Sequence, residues 1–153
     1  MLQAGQPFPN FSLPNQDGKT IKLADFAGKW LVVYFYPKDD TPGCTVQGKS
    51  FTAAKSDFDA AGITVLGVSQ DGVESHKNFC NKFSFTIDLL ADAKAELLGA
   101  CGIGQSEFRG AKYWDRTSFV IDPKGVVRKV YEKVNPQGHE QVLLADIKAL
   151  QKA

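Results

Sequence analysis

Leu31-Val32-Val33-Tyr34-Phe35-Tyr36 is a run of six apolar or aromatic residues with no polar alternation. A strand with one wet face alternates polar and apolar residues. A strand covered on both faces does not, and strands of parallel sheets clothed by helices are covered in this way. Pro37 ends the run, and Ile63-Thr64-Val65-Leu66-Gly67-Val68 is a second one of the same kind. Between them Gln47, Phe51, Ala54 and Phe58 recur at i, i+4, i+7 and i+11, the spacing of one helical face over residues 45–60. Gly62 supplies a stop. Strand, helix and strand over this length predict a βαβ unit with a right-handed crossover.

Working outward, Phe11-Ser12-Leu13 and Thr20-Ile21-Lys22-Leu23 flank the turn-rich residues 14–19 and predict an N-terminal β-hairpin. A helix is expected over 73–82, with Val73, His76, Cys80 and Phe83 as its inward stripe. Residues 117–121 and 126–131 surround Asp122-Pro123-Lys124-Gly125, a second hairpin signal. Leu143, Ile147 and Leu150 place a closing helix over 139–151. The order is mixed α/β, a central sheet flanked by helices. With no internal repeat or linker, the chain reads as one domain over residues 1–153.

Composition agrees. A chain of 153 residues is about one domain's worth, with 43% hydrophobic and 23% charged residues, near the globular average. Eighteen Lys+Arg against seventeen Asp+Glu leave a net charge of +1, which removes the electrostatic case for nucleic acid or an acidic membrane as partner. No apolar run approaches the ~20 residues of a membrane span. The opening residues Met1 to Pro7 lack a basic cluster followed by an apolar stretch. These features predict a cytoplasmic protein. Three cysteines are too few for a disulfide scaffold and odd in number, so they read as buried, redox-active or metal-binding.

The chemistry concentrates in Tyr36-Pro37-Lys38-Asp39-Asp40-Thr41-Pro42-Gly43-Cys44-Thr45. This stretch leaves the carboxyl end of the central strand and opens the next helix, where open α/β sheets bind ligands. Cys44 is expected in the first helical turn, where free N–H groups and the macrodipole favour an anion such as a thiolate.

Thr41-Pro42-Gly43-Cys44-Thr45, preceded by Phe35-Tyr36-Pro37-Lys38-Asp39, resembles the active-site loop of peroxiredoxins, and more narrowly of the bacterioferritin comigratory protein (peroxiredoxin Q) branch. The likeness continues through Arg116-Thr117-Ser118-Phe119-Val120-Ile121-Asp122 to the last helix. The resemblance implies a thioredoxin-like fold and reduction of hydrogen peroxide or organic hydroperoxides, with no metal or organic cofactor. By position it implies that Cys44 is the peroxidatic cysteine, that Thr41 and Arg116 activate it, and that Pro37 and Pro42 shape the loop. The backbone around Gly43 and Cys44 is then expected to orient the peroxide. A thioredoxin-type dithiol is the implied reductant and a monomer the implied assembly.

Thiolate formation alone does not make such a thiol fast. A fall in pKa from about 8.5 to ~6 raises the thiolate fraction at pH 7 roughly 30-fold. The accompanying loss of nucleophilicity is on the order of 10- to 18-fold. The two nearly cancel, so most of the rate must come from donors arranged around the O–O bond. The Arg116 guanidinium, the Thr41 hydroxyl and the amides of the first turn are the candidates; the alternative for Arg116, a surface ion pair with the adjacent Asp115, is outweighed by its place at the start of a predicted strand and by the resemblance.

A sulfenic acid at Cys44 needs a second thiol to resolve it. Many members of the branch carry that thiol five positions on, where this chain has Lys49, and Gln47 stands where Glu is common. A smaller group uses a cysteine on the next helix, which Cys80 matches. The resemblance therefore implies a Cys44–Cys80 disulfide, with Cys101 structural or, alternatively, the resolving thiol. Two cysteines on separate helices will rarely start within the ~7 Å between Cα atoms that a disulfide needs, so both first turns are expected to unwind, with Gly48 easing the first. Other readings have less support. A thiol–disulfide oxidoreductase normally has C-x-x-C, but Gln47 occupies that position. His76 and His139 are too isolated for a closed metal set. A one-cysteine peroxidase or a redox sensor that reacts once remains the alternative.

Overall fold

The computed structural model describes residues 1–152. At its centre, β3 (Trp30–Phe35) has every residue from Leu31 to Phe35 buried. It pairs in parallel with β4 (Ile63–Ser69) and antiparallel with β8 (Thr117–Ile121). Beyond β4 lies β5 (Asp88–Ala91), parallel, and beyond β8 lies β9 (Val127–Glu132), antiparallel, giving the order β5-β4-β3-β8-β9. The unbroken apolar run is therefore the middle strand of a mixed sheet, as its pattern requires.

The pleat divides β3 between two cores. Val32, Tyr34 and Tyr36 point to one face, where they meet Phe51 of α1 (Pro42–Ala53), Phe58 of α2 (Lys55–Ala60), Phe79 of α3 (Val73–Phe83) and Leu143 of α5 (His139–Lys152). Leu31, Val33 and Phe35 point to the other face. There the cover is the hairpin of β1 (Ser12–Pro14) and β2 (Thr20–Lys22), with Phe8, Phe11 and the short α4 (Glu96–Ala100). Four helices lie on one side, and a hairpin and one helical turn lie on the other.

The helix expected over 45–60 starts earlier and is two helices. It begins at Pro42, whose missing N–H and fixed φ suit the first helical position. It breaks at Ala54 (φ −91°, ψ 2°), whose carbonyl accepts from both Asp57 and Phe58. The turn sets the Phe58 ring 5.9 Å from Phe51, and the expected stripe of Gln47, Phe51, Ala54 and Phe58 is buried throughout. Of the stripe expected on α3, His76 and Cys80 are buried while Val73 and Phe83 are half-buried, and Phe79 joins the buried face. The elements that carried no sequence signal are a 3-10 turn at Leu23–Phe26, β5, α4 and a hairpin of β6 (Gln105–Phe108) and β7 (Ala111–Trp114), which turns on Arg109 and Gly110, both at positive φ.

Candidate active site

The central strand hands over to α1 through residues 36–41. Tyr36 still bonds to the sheet, its N–H donating to the Val68 carbonyl at 3.1 Å. Asp40 then takes a left-handed backbone (φ 58°) and Thr41 an extended one (φ −97°, ψ 156°) as the helix N-cap. The Thr41 hydroxyl does not cap. It donates to the Lys38 carbonyl at 2.8 Å, so toward any further group its oxygen can only accept. Pro42 has no N–H, and the N–H groups of Gly43 and Cys44 in the first turn are left without a side-chain cap. Cys44 sits among them, 2% exposed.

Arg116 approaches from the strand side. It immediately precedes β8, and its carbonyl accepts from the Val134 N–H at 3.0 Å. Its guanidinium lies against Gly43: a Cβ there would stand 2.5 Å from Nη2 and 3.0 Å from Cζ, so a larger residue would push the Arg116 head group away from the start of the helix. Nη1 donates to Gln47 Oε1 at 2.8 Å, one turn beyond Cys44 on the same helix. Gln47 is buried, and its Nε2 is a donor without a partner. Among the described residues Arg116 forms no ion pair with a carboxylate. Asp115 instead accepts from the Ser106 hydroxyl. A neutral partner leaves the full guanidinium charge facing the first turn.

Thr41, Pro42, Gly43, Cys44 and Arg116 thus meet at the mouth of α1, and Pro37 joins Arg116, Tyr113 and Trp114 in lining an open depression beside it. Cys80 lies behind, on α3, in the same apolar cluster as Cys44. Burial, followed by the carboxylates of Asp39, Asp88 and Asp17, pushes its thiol up to about 12. Cys101 belongs to the cluster on the far side of the sheet, where burial and then Asp92 push it to about 12 as well. All three cysteines are free. The expected ease of melting at Gly48 meets a packing reason for that glycine: it is buried, and a Cβ would overlap the Phe85 ring.

Two features escaped the sequence reading. Tyr34 stacks on Phe51 with ring centroids 4.6 Å apart, and its phenol is held well above its ordinary pKa by burial, then by Cys44 and Cys80. Its place two residues before Tyr36 on one strand face was the available signal. The other is a buried polar cluster of Tyr36, Asp39, Ser75 and His76, in which the bonds from Tyr36 and Asp39 to Ser75 and His76 span 36 to 40 positions of the chain. Among the described residues no group of three or more His, Cys, Asp or Glu side chains could hold a metal ion. No helix there is long and apolar enough to cross a membrane.

A free cysteine in the first turn of a helix, next to a glycine against which a guanidinium rests and just past the end of the central strand of a thioredoxin-like sheet, defines a thiol-based redox enzyme. The AhpC/TSA family matches residues 4–130. The chain belongs to that family, in its Bcp/peroxiredoxin Q branch, and is a thiol peroxidase. It is 40% identical to peroxiredoxin Bcp of Xanthomonas campestris over 94% of this chain and 92% of that one. Against peroxiredoxin Bcp of Escherichia coli it is 38% identical, covering 94% of each. The solved structure of the Xanthomonas campestris bacterioferritin comigratory protein, studied for its alkyl peroxide reduction, superimposes with a TM-score of 0.88 at 38% identity, over 95% of this chain and 98% of that one. Peroxiredoxin Q of the same bacterium has been solved with serine in place of each of two cysteines, whose sequence separation equals that of Cys44 and Cys80.

Proposed function

We propose that Cys44 attacks hydrogen peroxide and organic hydroperoxides and that Cys80 resolves the product. The Cys44 thiolate displaces the O–O bond: the terminal oxygen and its proton stay on sulfur as a sulfenic acid, and the departing alkoxide takes a proton to leave as an alcohol or water. The reading is carried by the guanidinium of Arg116, seated on Gly43 with a neutral partner. It faces the uncapped amides of the first turn, so positive charge and N–H dipoles converge where charge shifts from sulfur to oxygen. Thr41 accepts the peroxide's O–H, because its own proton is committed to Lys38.

The Cys80 thiol then attacks the Cys44 sulfur, giving a disulfide and one water molecule. At 7% exposure and a pKa near 12, Cys80 is a poor nucleophile where it sits, so α3 and the first turn of α1 open before the bond forms. The equal cysteine spacing in the Xanthomonas campestris variants supports this pairing. A thioredoxin-type dithiol regenerates both thiols by exchange through a mixed disulfide. The chain works as a monomer in the cytoplasm. Its exposed large apolar residues, among those described, are Met1, Phe108 and Val142, too scattered to form an obligate interface.

Rapid kinetics with one equivalent of peroxide test the first step. Cys44→Ser removes the reaction. Arg116→Ala slows oxidation by on the order of 10²- to 10³-fold, and slows alkylation by iodoacetamide, which reports the thiolate alone, far less. Equal losses in the two reactions overturn the role given to Arg116.

A further inference from the structure

A buried polar cluster joins the loop ahead of Cys44 to the helix that carries Cys80. Asp39, 8% exposed, is its hub. Its Oδ1 accepts from the Tyr36 hydroxyl at 2.6 Å, and its Oδ2 accepts from the Ser75 hydroxyl at 2.8 Å. The same Oδ2 stands 2.7 Å from Nδ1 of His76, which is fully buried. Nε2 of His76 stands 2.9 Å from the Leu90 carbonyl. Both ring nitrogens thus stand within hydrogen-bond distance of protein oxygen atoms. The backbone N–H of Asp39 donates to Asp71 Oδ2 at 2.9 Å, and the Ser69 hydroxyl donates to that same oxygen. The loop is therefore fastened to the end of β4, to the approach to α3, and to the first turn of α3. A second tie, Lys82 to Asp40 at 2.8 Å, is solvent-exposed on both sides.

None of these side chains is needed to polarise a peroxide, yet they make a charge-assisted set shielded from water, where such bonds are strongest. Their location explains the cost. His76 lies one turn before Cys80 on the same helix face, and Asp39 lies five residues before Cys44. We propose that Asp39 and His76 are positioning residues for the resolving step: they form a latch that keeps α3 packed on the Cys44 loop while peroxide reacts, and its release sets the rate at which Cys80 reaches Cys44. The inference rests on the assignment of Cys80 as the resolving thiol. Closed, the latch also holds the Asp39 carboxylate near Cys80, where it opposes ionisation of the thiol. Opening removes both obstacles, and the condensation Cys44–SOH plus Cys80–SH to disulfide plus water then proceeds.

The test is single-turnover stopped flow on the reduced full chain, following tryptophan fluorescence after one equivalent of hydrogen peroxide. Peptide mapping of the quenched product identifies the disulfide. Asp39→Asn is expected to leave the oxidation phase within about twofold of the parent and to quicken disulfide formation on the order of tenfold, the weight of a lost charge-assisted bond. Ser75→Ala, which removes one neutral donor and preserves the pair, should quicken it less, and it serves if the first variant folds poorly. Asp40→Asn, which breaks the exposed tie, should change neither phase. Sulfinic acid formation at excess peroxide falls in step with the shorter sulfenic lifetime. A residue with only a structural role would lower the melting temperature without changing the ratio of the two phases. Disulfide formation that is unchanged or slower in both Asp39→Asn and Ser75→Ala, with Cys44–Cys80 still the product, overturns the latch alone. A parent product other than Cys44–Cys80 overturns the resolving assignment, and the latch with it.

Discussion

Cys80 and Cys101 are nearly the same group in different company. Both are buried, both are free, and burial pushes both thiols up to about 12. Cys101 closes the turn of α4 among Leu97, Leu98, Leu31 and Phe119, on the hairpin side of the sheet. Cys80 shares the helical side with Cys44, one turn from a polar cluster. Burial and acidity therefore do not distinguish the two thiols. The sheet does, because its five strands stand between Cys101 and Cys44, while Cys80 lies on the same side as Cys44. A helix can unwind locally from one face of a sheet, whereas a thiol on the opposite face needs the core itself to open.

The largest effect that probes this contrast is on turnover. Cys80→Ser should complete one oxidation and then stall in an assay coupled to a thioredoxin system, while Cys101→Ser should turn over as the parent does. A stalled Cys101→Ser, or a Cys80→Ser that cycles normally, would reverse the assignment of the two faces. The effect on stability should run the other way. Cys101→Ala leaves a void in a core that is fully closed at that point and costs about 1 kcal/mol, roughly 2–4 °C in melting temperature for a chain of this size. Cys80→Ala, at the margin of its core, should cost less.

Near neutral pH the titration of these groups has the smallest effect on stability, because it acts only toward the alkaline and acid limits. A thiol whose folded pKa lies near 12 against an ordinary 9.0 contributes stability that is whole below pH 9 and lost as pH rises toward 12. The reduced protein should soften over that window, and softening should diminish when Cys80 and Cys101 are both alanine. His139 acts at the other end. Burial lowers its pKa from 6.5 to about 4 beside the Ser118 hydroxyl, so the stability it lends is present above pH 6.5 and lost as pH falls toward 4. His139→Gln should flatten that acid limb in thermal melts.

Elements whose side chains all serve one purpose were readable in the chain. The apolar run of β3, the stripe through Gln47, Phe51, Ala54 and Phe58, and the place of Cys44 in a first helical turn each follow a local rule that tertiary contacts reinforce. Where local rules are silent, reading stopped. The break at Ala54 carries no glycine or proline, and it accompanies the packing of Phe58 beside Phe51. Asp88–Ala91 is a four-residue edge strand without β-branched residues, and the β6–β7 hairpin is too exposed to show an apolar face. In the site, Cys44, Thr41 and Arg116 were legible through a motif, but the neutral Gln47 partner of Arg116 and the Asp39–His76 pair were not. Those contacts join positions far apart in the chain, and no periodicity reports them.

If the sheet directs oxidation of Cys44 toward Cys80 and away from Cys101, mass spectrometric mapping of the fully reduced chain after one equivalent of hydrogen peroxide should find a peptide linked through Cys44 and Cys80, with Cys101 recovered as a free thiol. A Cys44–Cys101 link, or a stable sulfenic acid with no intramolecular disulfide, would rule this out.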